Sequence, residues 1–432
     1  MIRFIFSFFT FVLLISCSLN EDSKIWNNKQ KDILKKENTK KILSDEKKFV
    51  RELNPSIKLN LTNIKKSNKI NHKTNNFGSL NYLGYLKKKS YYKFSKFNDI
   101  DNINSRPIFL DNSIVFFDNK GTIIHYNNKN KFIWKKNYYS KSEKKQNPAL
   151  NFASNNKYLI IVDDVAKLYS LDIETGNLLW SKKNKYPFNS QIKIHGDKFF
   201  AIDYSNTLKC FKLIDGSECW SFLTEDSFTL SNTKYSLVIS NDLVIFSNSI
   251  GDITAVNISD GSMVWQTPTQ SSKNIKENYN FSMSKLVIDE KDIYFSNNKN
   301  QFYSIQTETG NINWVNEINS NLMPIIIGDF IFSVSNDGYL FVLQKKLGNI
   351  IKINDIYKNY KIKKRKNIKP VGLIIGGNKI YLNNSDGTMH IIDLQLSKVL
   401  KIEKISGNLI SKPYIDNGKL YVVKNGAIIK YD

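Results

Sequence analysis

Cysteine is nearly absent from this 432-residue chain: three residues, Cys17, Cys210 and Cys219, are too few for a disulfide scaffold or a zinc-rich module. Proline is scarce at eight residues. The four histidines, His72, His125, His195 and His390, are scattered and lack the spacing of metal ligands. Apart from the extreme N-terminus, no apolar run approaches the roughly 20 residues of a membrane helix, which excludes a polytopic membrane protein. No nucleophile elbow, glycine-rich dinucleotide motif or P-loop occurs. Acidic side chains are few, 39 against 63 Lys and Arg, and the net charge is +24. Such an excess suggests nucleic acid, but the dominance of Lys, Asn and Ile is what a low-GC genome dictates, so part of the basicity is codon bias. What is present is ample core material: 41% hydrophobic residues and 13% aromatics, enough for one large or two ordinary domains.

The first 17 residues decide the compartment. Arg3 is a short basic start, Phe4 to Leu13 is an apolar run too short to span a bilayer with ease, and Leu14-Ile15-Ser16-Cys17 follows directly. This resembles a bacterial lipobox, so residues 1–16 are expected to be a lipoprotein signal peptide and Cys17 the acylated residue; an ordinary signal peptide with a chance cysteine is the bland alternative. Two or more acyl chains anchor a protein stably. Ser18 stands where an Asp resembles an inner-membrane retention signal, so the expected location is the outer membrane, facing the periplasm. There a nucleic-acid partner is excluded. Residues 17–85, rich in Lys, Asn and Ser, read as a flexible basic linker, and residues 18–100 carry about half of the charge excess. A sharper reading is a basic arm drawn to anionic lipid.

From Ser105 to Asp432 the chain is one repeat of about 41 residues, within an expected propeller domain of residues 86–432. The clearest copy, YLIIVDDVAKLYSLDIETGNLLW, ends at Trp180. Others end at Trp134, Trp220, Trp265 and Trp314; two later copies place Lys352 and Lys401 where the tryptophan belongs, and the last stops at Asp432. Short runs of Val, Ile, Phe and Tyr alternate with Gly-containing turns, so each copy reads as four antiparallel strands. The expected fold is an all-β, eight-bladed β-propeller. The last copy lacks its outer strand, and Ser90-Tyr91-Tyr92-Lys93-Phe94 looks like an orphan strand; pairing the two closes the ring. The tryptophans are expected to be structural, each packing over the neighbouring blade.

The Leu-Asp-x-x-Thr-Gly-x-x-x-Trp pattern resembles the quinoprotein (PQQ-like) propeller repeat. Combined with the lipobox, it resembles the BamB family of outer-membrane β-barrel assembly lipoproteins. That resemblance implies a non-catalytic scaffold without cofactor, a monomer within a hetero-complex. Its implied partners are BamA-like POTRA domains and other subunits of the BAM complex, with lipid held through Cys17. The family's partner-binding motif falls on Phe228, Leu230 and Ser231, and its second part on Asn280, Phe281 and Ser282. The apolar pair is kept as Phe228 and Leu230, but an Arg is replaced by Ser231 and two acidic positions are Asn280 and Ser282. A propeller with another protein or glycan partner, or a relative of the PQQ-dependent dehydrogenases, is the alternative. The latter carry adjacent cysteines and an acidic calcium site, and this chain has no two adjacent cysteines.

Two features stand outside the resemblance. Lys361, Lys363, Lys364, Arg365 and Lys366 form a basic run between two copies, either a solvated loop or a contact for an acidic partner or lipopolysaccharide. Counting from the Asp215-Gly216 turn pairs Cys210 with Cys219 across a hairpin, so either a disulfide or two thiols results.

Overall fold

The computed structural model describes residues 50–61, 66–68, 71–82, 84, 86, 88–94, 107–155, 157–224, 234–270 and 281–431. The chain divides into two compact units, Met1–Val50 and Arg51–Asp432, and the second carries the fold. It is built from antiparallel sheets spanning residues 108–136, 150–183, 193–223, 237–267, 287–316, 325–355 and 370–404, here the first to seventh. An eighth sheet combines Ile410–Asp416, Lys419–Lys424 and Ala427–Tyr431 with the N-terminal strand Lys88–Lys93, which pairs antiparallel with Ala427–Tyr431. Helix α1 (Lys141–Lys145) joins the first sheet to the second, and α2 (Ile362–Asn367) joins the sixth to the seventh.

The sheets stand side by side because their middle strands are apolar on both faces. Along Tyr158–Asp163 successive side chains alternate between two cores. Leu159 and Ile161 pack toward the first sheet, whereas Ile160 and Val162 pack toward the third. The same arrangement at every joint closes a ring. The last core sets Tyr92, Val423 and Ile428 of the eighth sheet against Ile114, Phe116 and Ile124 of the first.

The expectation of eight uniform blades of four antiparallel strands needs correction. Seven sheets are four-stranded. The seventh in chain order has six strands, because Lys66–Ser67 and Ser79–Leu80 add to its inner edge in parallel. Its first strand, Pro370–Gly376, thereby becomes an interior strand.

The linker expected over residues 17–85 is also shorter than its composition suggests. Leu59, Leu80 and Tyr82 are buried in cores shared with the sixth, seventh and eighth sheets. Leu53 exchanges both backbone hydrogen bonds with Ile353 on the outer strand of the sixth sheet. Residues 71–82 cross the inner strands: the carbonyl of Lys73 accepts from Ile239 N, that of Thr74 from Ile288 N, and that of Leu80 from Gly377 N. Sparse apolar side chains and many backbone bonds hold this strap where composition predicts disorder.

Candidate functional site

Five joints share one clasp. The indole nitrogens of Trp134, Trp180, Trp220, Trp265 and Trp314 donate to the carbonyls of Ile173, Leu213, Ile258, Thr307 and Lys345 on the next sheet, at 2.9–3.2 Å. Each ring lies on a glycine of that sheet's outer hairpin: Gly176, Gly216, Gly261, Gly310 and Gly348 in turn. All five glycines have positive φ, and an added Cβ would sit 2.5–2.6 Å from an indole carbon. The indoles are thus committed to holding sheets together. Lys352 replaces the sixth indole, and its amine donates to the carbonyls of Leu396 and Ile57. Lys401 has no outer hairpin to clasp, since the last two strands of the eighth sheet come from distant parts of the chain; it pairs with Glu403 instead.

The ring presents two faces. On one lie α1, α2 and the strand ends from which the segments linking each outer strand to the next inner strand depart. Phe228, Leu230 and Ser231 fall in the segment from the third to the fourth sheet, and Asn280 in the segment from the fourth to the fifth; all four lie outside the described residues, as does Cys17. Ser282 is described. Its amide donates to Asn298 Oδ1 at 3.0 Å, and its hydroxyl is buried without a hydrogen-bond partner.

The described stems bring both segments to one element, the Asn248–Asp252 hairpin of the fourth sheet. On its third-sheet side Asn206 Nδ2 donates to Ser249 Oγ at 2.8 Å, and Ser249 N returns a bond to Asn206 Oδ1 at 3.1 Å. Thr224, the last described residue before the first segment, donates through Oγ1 to the Asn206 carbonyl. On the other side Phe281 lies against Gly251, and Thr269 Oγ1 donates to the Gly251 carbonyl at 2.7 Å. The hairpin thus joins the described stem at Thr224, through Asn206, to the stems at Thr269 and Phe281. The sequence signal for it was the Asx turn at Asn248, whose Oδ1 accepts from Ile250 N and Asp252 N.

The strap is bonded to the inner edges of several sheets. Asn75 serves three sheets: its Nδ2 donates to the carbonyls of Leu237 and Leu286 and to Gln191 Oε1, while its Oδ1 accepts from Lys193 Nζ at 2.6 Å. Lys193 also donates to the His72 carbonyl. Burial, reinforced by Lys412, lowers the Lys193 amine to about 7. Burial and the charges of Lys193, Lys412 and Lys285 lower His72 to about 4. Through its two hydrogen bonds Lys193 ties His72 and Asn75 of the strap to the third sheet. Among the described residues no three His, Cys, Asp or Glu side chains gather as a metal site. His125 bonds Ser113 Oγ, and His390 lies between Asn384 and Tyr360. Among the described residues no helix is long and apolar enough to cross a membrane.

Comparison with known proteins assigns the family. Residues 119–354, more than half of the chain, match the family model described as outer membrane protein assembly factor BamB. The chain belongs to this family. A curated relative, the outer membrane protein assembly factor BamB of Legionella pneumophila (strain Paris), is 21% identical over 277 residues, 62% of this chain. The match spans about half of that relative, 48% of its length. Among solved structures, BamB from Moraxella catarrhalis superposes with a TM-score of 0.66 at 17% identity, covering 80% of this chain and 99% of that one. A quinohemoprotein alcohol dehydrogenase of Pseudomonas putida HK5 gives 0.58 at 11% identity, covering 82% of this chain and 78% of that one. The C-terminal WD40 domain of Sif2 gives 0.60 at 12%, covering 81% and 99%. At such identities these structures share the fold with this chain.

Proposed function

We propose that this protein is a non-catalytic scaffold of the outer-membrane β-barrel assembly complex, held to the outer membrane through acylated Cys17 and facing the periplasm. It binds BamA-like POTRA domains through the segments around Phe228 and Asn280 and assists insertion of outer-membrane proteins. The family match carries this reading. The Asn248–Asp252 hairpin that joins the described stems supports it, because a partner meets loops whose stems are already ordered and loses less entropy on binding.

The test is copurification of the full-length acylated chain from detergent-solubilised outer membrane. Wild type is expected to bring down a BamA-like subunit. Phe228→Ala with Leu230→Ala is expected to weaken capture at least tenfold, as loss of an apolar hot spot does, with an unchanged melt. Capture unaffected by the double substitution, or a much lower melt, overturns the assignment of that segment. Cys17→Ser should abolish the acyl mass on the mature chain; a wild type without acyl groups overturns the anchor.

A further inference from the structure

The sixth-to-seventh joint carries a basic corner of ordered construction. Within Lys361-Ile362-Lys363-Lys364-Arg365-Lys366 one side of α2 is tied to the ring. Arg365 Nη1 lies 2.6 Å from Asp355 Oδ2, with its guanidinium 5.2 Å from the Tyr339 ring centre. Lys364 Nζ lies 3.3 Å from Asp386 Oδ2 and 4.1 Å from the Tyr360 ring centre. Helical periodicity turns Ile362, Lys363 and Lys366 to the opposite side. Ile362 is 76% exposed, the highest value for a large apolar side chain among the described residues. Lys361, Lys363 and Lys366 have no ion-pair partner among the described residues. The inner cations are neutralised and the outer ones are not.

The N-terminal chain reaches the ring at this same corner. Glu52 Oε1 accepts from Asp355 N at 3.1 Å and lies 3.6 Å from Lys358 Nζ, so Glu52, Asp355 and Arg365 form one linked row. Val50 and Arg51, immediately before, are exposed. A partner protein that only complemented charge would gain nothing from Ile362. A lone apolar side chain ringed by unpaired lysines fits a bilayer interface, where the ammonium groups meet phosphates and the alkyl group enters the headgroup boundary.

We propose that this corner is a membrane-contact site: Lys361, Lys363 and Lys366 bind phosphodiester headgroups of anionic phospholipid and Ile362 inserts between them. The proposal rests on the anchored reading above only in that a chain tethered by its N-terminus meets the membrane first at the corner where that terminus joins the ring. Contact there would orient the ring rather than leave it to tumble on its tether.

The test uses the full-length chain carrying Cys17→Ser, so that acylation contributes nothing, sedimented with phosphatidylethanolamine vesicles containing phosphatidylglycerol at moderate salt. Lys361→Glu, Lys363→Glu and Lys366→Glu together are expected to lower the partition coefficient at least tenfold. Ile362→Ser should lower the binding that survives raised salt. The control reverses Lys141, Lys144 and Lys145 on α1, which changes net charge equally and should lower partitioning far less. Equal losses from the two triple variants would mean diffuse attraction and overturn the site, as would binding indifferent to all substitutions. Loss of subunit copurification by the α2 triple variant, with vesicle binding intact, would make the corner a protein contact and also overturn it. Unchanged copurification with lost vesicle binding leaves the scaffold assignment standing on its own test.

Discussion

The amine of Lys352 lies 2.6 Å from the carbonyl oxygen of Leu396, in the slot where five other joints place an indole. The exchange has a steric cause. At those five joints the facing hairpin offers a glycine; here the positive-φ residue is Ser397, whose Cβ would meet an indole as an added Cβ would at the glycines. The Ile57 carbonyl takes the second hydrogen bond of the Lys352 amine. Restoring the repeat's own residue should therefore harm this joint. Lys352→Trp is expected to destabilise by about 2 kcal/mol, in the range of overpacking. Ser397→Gly should recover part of that loss. A urea double-mutant cycle checks it: additive substitutions, or a stabilising Lys352→Trp, would show that the slot accepts an indole as it stands.

The clasp makes a second, sharper comparison. Gly310 and Gly196 both have positive φ, +73° and +59°. An added Cβ at Gly310 meets the Trp265 ring at 2.6 Å, whereas at Gly196 nothing lies within 4 Å. Gly196→Ala should cost about 1 kcal/mol, the backbone penalty alone. Gly310→Ala should cost that and at least about 1 kcal/mol more, because the indole must move. Equal midpoint shifts in denaturant would mean that the Trp265 contact is soft.

How much of this was readable in the sequence follows from the same residues. The period of about 41 and the paired Trp and Gly positions encode the ring, because each repeat must bury both faces of its sheet. The N-terminal strand was readable from the missing outer strand of the last copy. The strap was not: Asn75 holds three sheets through one side chain, and Leu59, Leu80 and Tyr82 are too widely spaced to show a period. The outer-strand register was missed for a local reason. Each strand bulges by one residue just before the clasp, at Ile133, Leu179, Cys219, Val264, Asn313, Ile351 and Leu400. Apolar doublets such as Leu178-Leu179 before Trp180 break strict alternation and were the available signal. The partner segments follow no repeat period, so only family resemblance could propose them.

Buried histidines predict a direction for pH. Burial lowers His72, His125 and His390 to about 4, from an ordinary 6.5. Their neutral form belongs to the fold, so the unfolded chain takes up protons first. The stability they contribute is complete above pH 6.5 and is lost as pH falls through 4. Asp163 opposes them: burial raises its carboxyl from 3.8 to about 6, so its contribution is complete below 3.8 and is lost as pH rises through 6. Burial raises Asp164 in the same direction; three histidines outweigh these two carboxyls, and unfolding midpoints should fall as pH drops from 6.5 to 4. At about 1.4 kcal/mol per pH unit of displacement, His390→Gln should remove at most about 3.5 kcal/mol of that fall. A midpoint that rises on acidification, or a His390→Gln profile identical to wild type, would contradict it.

The bulge also shapes the prediction for the two cysteines in the ring. Counting outward from the Asp215-Gly216 turn places Cys210 opposite Cys219, but the ladder sets Cys210 against Trp220 and leaves Cys219 as the extra residue. The strict pairing is therefore off by one, although the two thiols still lie within hydrogen-bond reach of each other. Both are free thiols, Cys210 buried and Cys219 half-buried. Burial, and then the adjacent Cys219, hold the Cys210 thiol well above its ordinary range, so little thiolate forms there near neutral pH. In the native protein Cys219 should react with a maleimide within minutes and Cys210 only on the timescale of unfolding. Denatured without reductant, the mature chain should yield two reactive thiols. A yield of none would mean that the bulged strand had closed a disulfide and that the ladder at Cys210 differs from the one described.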